Sequence, residues 1–214
     1  MKNFNNYPNF IGLGATNTFS GNTGIILKSY MPHKQSFSIF DSKIGKVLCY
    51  WDTRKPLNFR PGFLISYNIQ IKGDYYIISN LDIINFPYNF IGKNFELLHF
   101  ILELCDYFLP LHNASEELFA FLKIVYDNTS NFNTPIAIKS FLFQFLTLLD
   151  LYPNNFLLER AIRKVVSASA LRTDIKEENL HLLLDNWLLG CMKDNEFCHR
   201  IKSFKFLKEL GIYG

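Results

Sequence analysis

The sequence lacks several signals that would fix a function at once. Residues 1–20 hold no basic segment followed by an apolar one, so no signal peptide is expected. The longest apolar stretch, Ile136 to Leu149, is too short to span a bilayer and contains Lys139 and Gln144. A cytoplasmic protein with no membrane partner is therefore expected. Cys49, Cys105, Cys191 and Cys198 form no Cys-x-x-Cys pair, which predicts buried thiols and no disulfide. Cys191, Cys198 and His199 lie near one another, but their spacing matches neither a zinc ribbon nor a zinc finger, and no metal or other cofactor is expected. Gly12-Leu13-Gly14-Ala15 lacks the third glycine and the Lys-Ser/Thr pair of a phosphate-binding loop. There is no Gly-x-Ser-x-Gly elbow and no nuclease-like acidic cluster with lysine. Asp41, Asp52, Asp74 and Asp82 are scattered among turns and strand ends, where aspartate serves structure. A protein that is not an enzyme is expected. No internal repeat is evident.

What is present is enough chain, and enough apolar residue, to fold. The 214 residues are 49% hydrophobic and 19% charged, which allows two compact domains and argues against long disordered regions. Aromatic residues reach 16%, but they rise together with Ile, Asn and Lys, a pattern of codon bias rather than of selection for stacking. The net charge of +3 is unevenly spread. Residues 1–93 carry ten Lys/Arg against four Asp/Glu, net +6, whereas residues 94–214 carry twelve against fifteen, net −3. The first part suits a polyanion, and the two parts should meet different partners.

From Thr23 to Ile84 short alternating runs are broken by turn residues, as in antiparallel strands. Thr23–Tyr30, Gln35–Asp41, Gly45–Trp51, Gly62–Lys72 and Tyr75–Ile84 are the predicted strands, the last two joined at Gly73-Asp74. Five short strands bury a core best by closing into a small barrel of the OB type. After Pro87 the period becomes helical, with Leu97, Leu98, Ile101, Leu102, Cys105 and Phe108 on one face. Further helices are predicted over Leu118–Tyr126, Ile136–Leu149 (the buried centre, opened by Thr134-Pro135), Phe156–Ser169, Leu180–Cys191 after the Asp174-x-x-Glu177 capping pattern, and Glu196–Leu210. The reading is α+β: an N-terminal extension over 1–22, a five-stranded OB-fold β-barrel over 23–88, a boundary near 86–94, and an all-α helical domain over 94–214.

The loop from Asp52 to Arg60 gathers Arg54, Lys55 and Arg60 with Phe59, a pairing that can contact phosphates and offer a base a stacking surface. Lys28, Lys34, Lys43, Lys46 and Lys72 add positive charge to the same region. Tyr50, Trp51, Phe59, Tyr67, Tyr75 and Tyr76 are stacking candidates, although most should be barrel core, and alternation sends Tyr50 and Trp51 to opposite sides. Arg160, Arg163 and Lys164 share one side of a helix and can extend a nucleic-acid track, grip an acidic peptide, or simply face water. Arg200, Lys202, Lys205 and Lys208 form a third basic cluster.

Gly24-Ile25-Ile26-Leu27-Lys28-Ser29-Tyr30, then Phe37-Ser38-Ile39-Phe40-Asp41, then Ile44-Gly45-Lys46-Val47 resembles the start of the RecO family of recombination mediators. Arg54, Lys55 and Arg60 stand where that family has an Arg/Lys-rich loop, and Phe63–Tyr67, Tyr76–Ile78 and Asp82–Phe86 resemble its closing strands. Leu148-Leu149-Asp150-Leu151-Tyr152-Pro153 is similar to a family helix end, and Arg200-Ile201-Lys202-Ser203 with Leu207 to its basic last helix. The resemblance implies an OB-fold that binds single- and double-stranded DNA, anneals complementary strands, binds the acidic tail of single-stranded-DNA-binding protein, and works with RecR to load RecA. Lys28, Lys34, Lys46, Arg54, Lys55, Arg60 and Lys72 are the expected DNA contacts, with Arg160, Arg163 and Lys164 as a partner or second DNA patch. The zinc cysteines of many members are missing after Pro153, which implies a metal-free helical core. The competing readings are a protein-interaction adaptor that has lost DNA binding and an OB-fold RNA-binding protein.

Overall fold

The computed structural model describes residues 18–30, 36–51, 59–72, 75–90, 95–127, 132, 134–153, 160, 177–194, 201–206 and 211. Its five strands are β1 (Thr18–Ser29), β2 (Ser36–Asp41), β3 (Gly45–Trp51), β4 (Leu64–Lys72) and β5 (Tyr75–Asn85). Antiparallel pairing joins β1 to β2, β2 to β3, β1 to β4 and β4 to β5, and a parallel pairing of β3 with β5 closes the barrel. Closure removes the open edges that a small sheet would otherwise expose. Alternation sends Ile26, Phe37, Ile39, Val47, Cys49, Ile65, Tyr67, Ile69 and Ile78 inward to form the barrel core.

Strand β1 starts at Thr18, inside the stretch expected to be an extension. The register shift between Phe19 and Asn22 shows a bulge, with Gly21 at φ 69°. A bulge lets the strand bend and keep pairing, so Thr18 and Phe19 still meet Gln70 and Ile69 of β4. The other four strands match the expected spans to within two residues at either end.

Four helices follow among the described residues: α1 (Phe95–Phe108), α2 (Glu116–Asp127), α3 (Pro135–Leu148) and α4 (Glu177–Asp194). Their starts obey local chemistry. Ser115 Oγ accepts the Leu118 N–H at 3.3 Å ahead of α2, and Thr134 Oγ1 accepts the Ala137 N–H at 3.3 Å ahead of α3, with Pro135 in the first helical turn. Helix α3 is the buried centre, with Ile138, Lys139, Phe141, Leu142, Phe143, Phe145 and Leu146 all inside. It packs on α4 through Phe143 and Trp187, whose ring centroids are 4.6 Å apart, and through an ion pair of 2.6 Å between Lys139 and Asp185. The predicted Phe156–Ser169 helix lies outside the described residues except at Arg160. No described helix is long and apolar enough to cross a membrane.

Barrel and helices share one apolar cluster. Ile25, Leu27, Phe40 and Leu64 leave the barrel interior and join the residues of α1 to α4, with Phe40 and Phe119 rings 5.7 Å apart. Tyr126 of α2 donates its hydroxyl to the Gly62 carbonyl at 2.7 Å. The helices therefore cover the outer surface of β1, β2 and β4 at those positions, while Leu48 of β3 and Tyr75 of β5 stay exposed.

Candidate nucleic-acid interface

The strand register sets one outward row across the barrel. Lys28 of β1 pairs with Ser38 of β2, and Ser38 pairs with Leu48 of β3. The parallel ladder of β3 and β5 begins at Cys49 and Tyr76, one step beyond Leu48 and Tyr75, and Tyr75 pairs with Lys72 of β4. Neighbours across a sheet point to the same side. The row therefore runs Lys28, Ser38, Leu48, Tyr75, Lys72, with a cation at each end and about 4.8 Å per strand step. Leu48 is 40% and Tyr75 is 59% exposed.

A second row lies beside it. The Tyr30 N–H donates to the Ser36 carbonyl at 3.0 Å, Ser36 pairs with Tyr50, and the Tyr50 ring meets the Tyr75 ring edge-on at 5.5 Å. Lys28 sets its ammonium 5.2 Å from the Tyr30 ring centre. Flat rings that keep a free face, flanked by lysines, can stack bases while the cations meet phosphates.

The expected contacts separate on this surface. Lys28 and Lys72 are exposed and end the first row, and Arg60 is exposed in the segment leading to β4. Lys46 turns away from solvent: its ammonium donates to the Asp106 carbonyl, lies 3.7 Å from the Asp106 carboxylate, and leaves the side chain 15% exposed. Lys28 reaches Asp106 Oδ2 at 3.6 Å, and Ser38 donates its hydroxyl to Asp106 Oδ1 at 2.7 Å. Asp106 thus neutralises charge that the sequence assigned to a ligand. Arg160 is exposed. Lys34, Arg54, Lys55, Arg163 and Lys164 lie outside the described residues.

The aromatic candidates divide by face. Tyr67 is core, donating its hydroxyl to Asp41 Oδ2 at 2.6 Å, and Trp51 and Phe59 pack against the barrel interior with ring centroids 6.4 Å apart. Tyr50 and Trp51 do part to opposite sides. Tyr75 faces water, and Tyr76 stacks on His112 at 5.2 Å. Burial first, and the neighbouring Cys49 second, push the Tyr76 phenol above its ordinary pKa, so it remains protonated. Tyr30, Leu48, Asp106 and His112 are not among the residues that the sequence singles out for binding. Tyr30 and Leu48 follow from alternation once the covered face is known, whereas Asp106 and His112 arrive from the helical segment with no periodic signal.

The buried acid Asp41 serves structure. Asp41 is fully buried, accepts the N–H groups of Lys43 and Ile44 at 2.7 and 2.8 Å, and so ties the β2–β3 turn to Tyr67. Cys49 and Cys105 are buried, and burial raises both thiols far above their ordinary pKa, leaving them unreactive. Cys191 is buried with its thiol 3.4 Å from the Leu151 carbonyl, while Cys198 and His199 lie outside the described residues. Among the described residues no group of three or more His, Cys, Asp or Glu is placed to hold a metal ion.

No protein-family model matches the chain, and no curated protein matches it.

Proposed function

We propose that this chain is a RecO-like, non-catalytic mediator of recombinational repair, acting in the cytoplasm through an OB-type barrel that binds and anneals DNA. The observation that carries the reading is the barrel face where exposed Lys28 and Lys72 end a cross-strand row that is buried at Ser38 beneath Asp106 and exposed at Leu48 and Tyr75, with Tyr30 and Tyr50 beside it. The strand circuit β1-β2-β3-β5-β4 supports the OB assignment, since that fold closes in this order and binds oligonucleotides on its β2–β3 face.

Annealing needs no bond making by the protein. Two complementary strands repel until cations displace their condensed counterions, and a basic barrel lowers that barrier while its rings hold bases unpaired. Lys34, Arg54, Lys55 and Arg60 extend the charge of Lys28 and Lys72 in this scheme. Arg160, Arg163 and Lys164 are the residues proposed to meet the acidic tail of single-stranded-DNA-binding protein, with RecR as partner and RecA as the protein loaded.

The test is annealing of two labelled complementary DNA strands coated with single-stranded-DNA-binding protein. The proposal expects acceleration by the wild type and a loss of it when Lys28, Arg60 and Lys72 are all changed to Glu. Absence of acceleration by the wild type, combined with tighter binding to RNA than to DNA of the same sequence, would move the assignment to an OB-fold RNA-binding protein.

A further inference from the structure

Strand β3 has two edges, and they are covered differently. Strand β2 pairs along all of one edge, from Gly45 to Tyr50. Strand β5 takes the other edge only from Cys49 onward. The α1–α2 connection fills the earlier part: Leu111 pairs in parallel with Lys46, and the His112 N–H donates to the Lys46 carbonyl at 2.9 Å. Gly45 allows the approach. A Cβ there would lie 2.3 Å from the carbonyl carbon and oxygen of Asn113, and Gly45 itself sits at φ 85°.

Docking in this way fixes His112 at φ 59°, a left-handed conformation that glycine or asparagine adopts at lower cost. Strain of this kind persists where the surroundings over-determine it, and it gathers at ligand sites. The imidazole lies on the Tyr76 ring with an interplanar angle of 29°, and Tyr76 Oη is 3.3 Å from His112 Nδ1. One face of the imidazole is thus occupied by Tyr76, and the residue as a whole is exposed. Tyr76 pairs with Cys49 and packs on the barrel core, so its neighbour Tyr75 points to the other side of the sheet, where it meets Tyr50.

We infer that the Tyr76–His112 pair is a stacking step for an unpaired nucleobase, set where β5 meets the α1–α2 connection and favouring single strands over duplex. This rests on the nucleic-acid reading of the barrel. The bases of a duplex are already stacked and paired, so a ring fixed beside the barrel gains contact only with a base whose face is free. Stacking is blind to base identity, so the ligand class is any single strand with accessible bases.

The test compares the full chain with His112→Gly, His112→Asn and Tyr76→Phe. The two His112 variants keep or relax the backbone while removing the ring, so thermal unfolding should show no loss of Tm. Anisotropy is measured with a labelled oligothymidylate and a labelled duplex of equal length, across a salt series at one fixed pH. Both His112 variants should bind the single strand about tenfold more weakly, with unchanged duplex affinity and unchanged salt slope. Tyr76→Phe should match the wild type. If the wild type binds with the expected salt dependence and both His112 variants bind the single strand equally well, this inference falls and the barrel reading stands. Equal losses on single strand and duplex also overturn it, since they indicate a backbone contact. A wild type that binds neither probe at low salt removes the barrel reading and this inference together.

Discussion

Glu103 of α1 receives Ser203 across 100 residues of chain: its carboxylate accepts the Ser203 hydroxyl at 2.6 Å and the Ser203 N–H at 2.9 Å, and also the Lys202 N–H at 2.8 Å. It therefore caps the short 3-10 turn Lys202–Phe204 as an N-terminal residue caps a helix, but from another element. This corrects the expected continuous helix over Glu196–Leu210, because Ile201 is extended at φ −92° and ψ 115° and a fresh turn begins after it. Ile201 and Phe206 are buried in the shared core on either side of the cap. Burial raises the Glu103 pKa, but the hydrogen bonds from Ser203 and Lys202 and the Lys202 charge outweigh it and hold the carboxyl below its ordinary 4.5. The sign follows: the stabilisation is fully present above pH 4.5 and is lost as pH falls through the lower folded value. Glu103→Ala should cost about 1–2 kcal/mol, reduced by the partial exposure of the site, and should flatten the acid limb of stability against pH in denaturant unfolding.

Strand spans and helix starts were legible because they rest on local signals: alternation over Gly45–Trp51, and Thr134-Pro135 before an apolar run. The bulge at Gly21 was not, since a glycine followed by asparagine has the composition of a turn and only the pairing of Phe19 with Ile69 distinguishes the two. Of the basic candidates, sequence gave Lys28 and Lys46 equal standing. Their separation depends on Asp106, whose distance along the chain leaves no periodic trace. Likewise alternation sends Tyr50 and Trp51 to opposite sides and most of the aromatic candidates to the core, without saying which of them stay in water. Burial of Tyr67 and 59% exposure of Tyr75 answer that.

Tyr67→Phe removes the hydroxyl that Asp41 accepts inside the barrel and leaves a buried carboxylate one partner short. A hydrogen bond to a charged group is worth about 1.5–3 kcal/mol, and a loss in that range is expected from chemical denaturation. Nucleic-acid affinity should be unchanged, because Tyr67 is 1% exposed.

Gly45→Ala places a methyl group against the Asn113 carbonyl and requires a left-handed alanine. The expected cost is about 1–3 kcal/mol, together with faster amide exchange at His112, whose N–H is held by the Lys46 carbonyl. Slow exchange at His112 in the variant would show that the connection docks without Gly45.

Asp106→Asn retains a side-chain acceptor for Ser38 while removing the charge that Lys28 and Lys46 share. Two effects of opposite sense should appear. Stability falls by about 1 kcal/mol, since Lys46 is only 15% exposed, and affinity for DNA rises about threefold at low salt as Lys28 becomes free to meet phosphate.

Capture of nucleic acid by the cations of the barrel can be read from the anisotropy of labelled single-stranded DNA against salt. The wild type is compared with a Lys28→Glu/Arg60→Glu/Lys72→Glu variant whose unfolding shows an intact fold. Neutralisation of four to six phosphates predicts a wild-type slope of log affinity against log salt of about −3 to −4, shallower by about 2 in the variant, with most affinity lost. Equal affinity and equal slope for the two proteins would contradict the account.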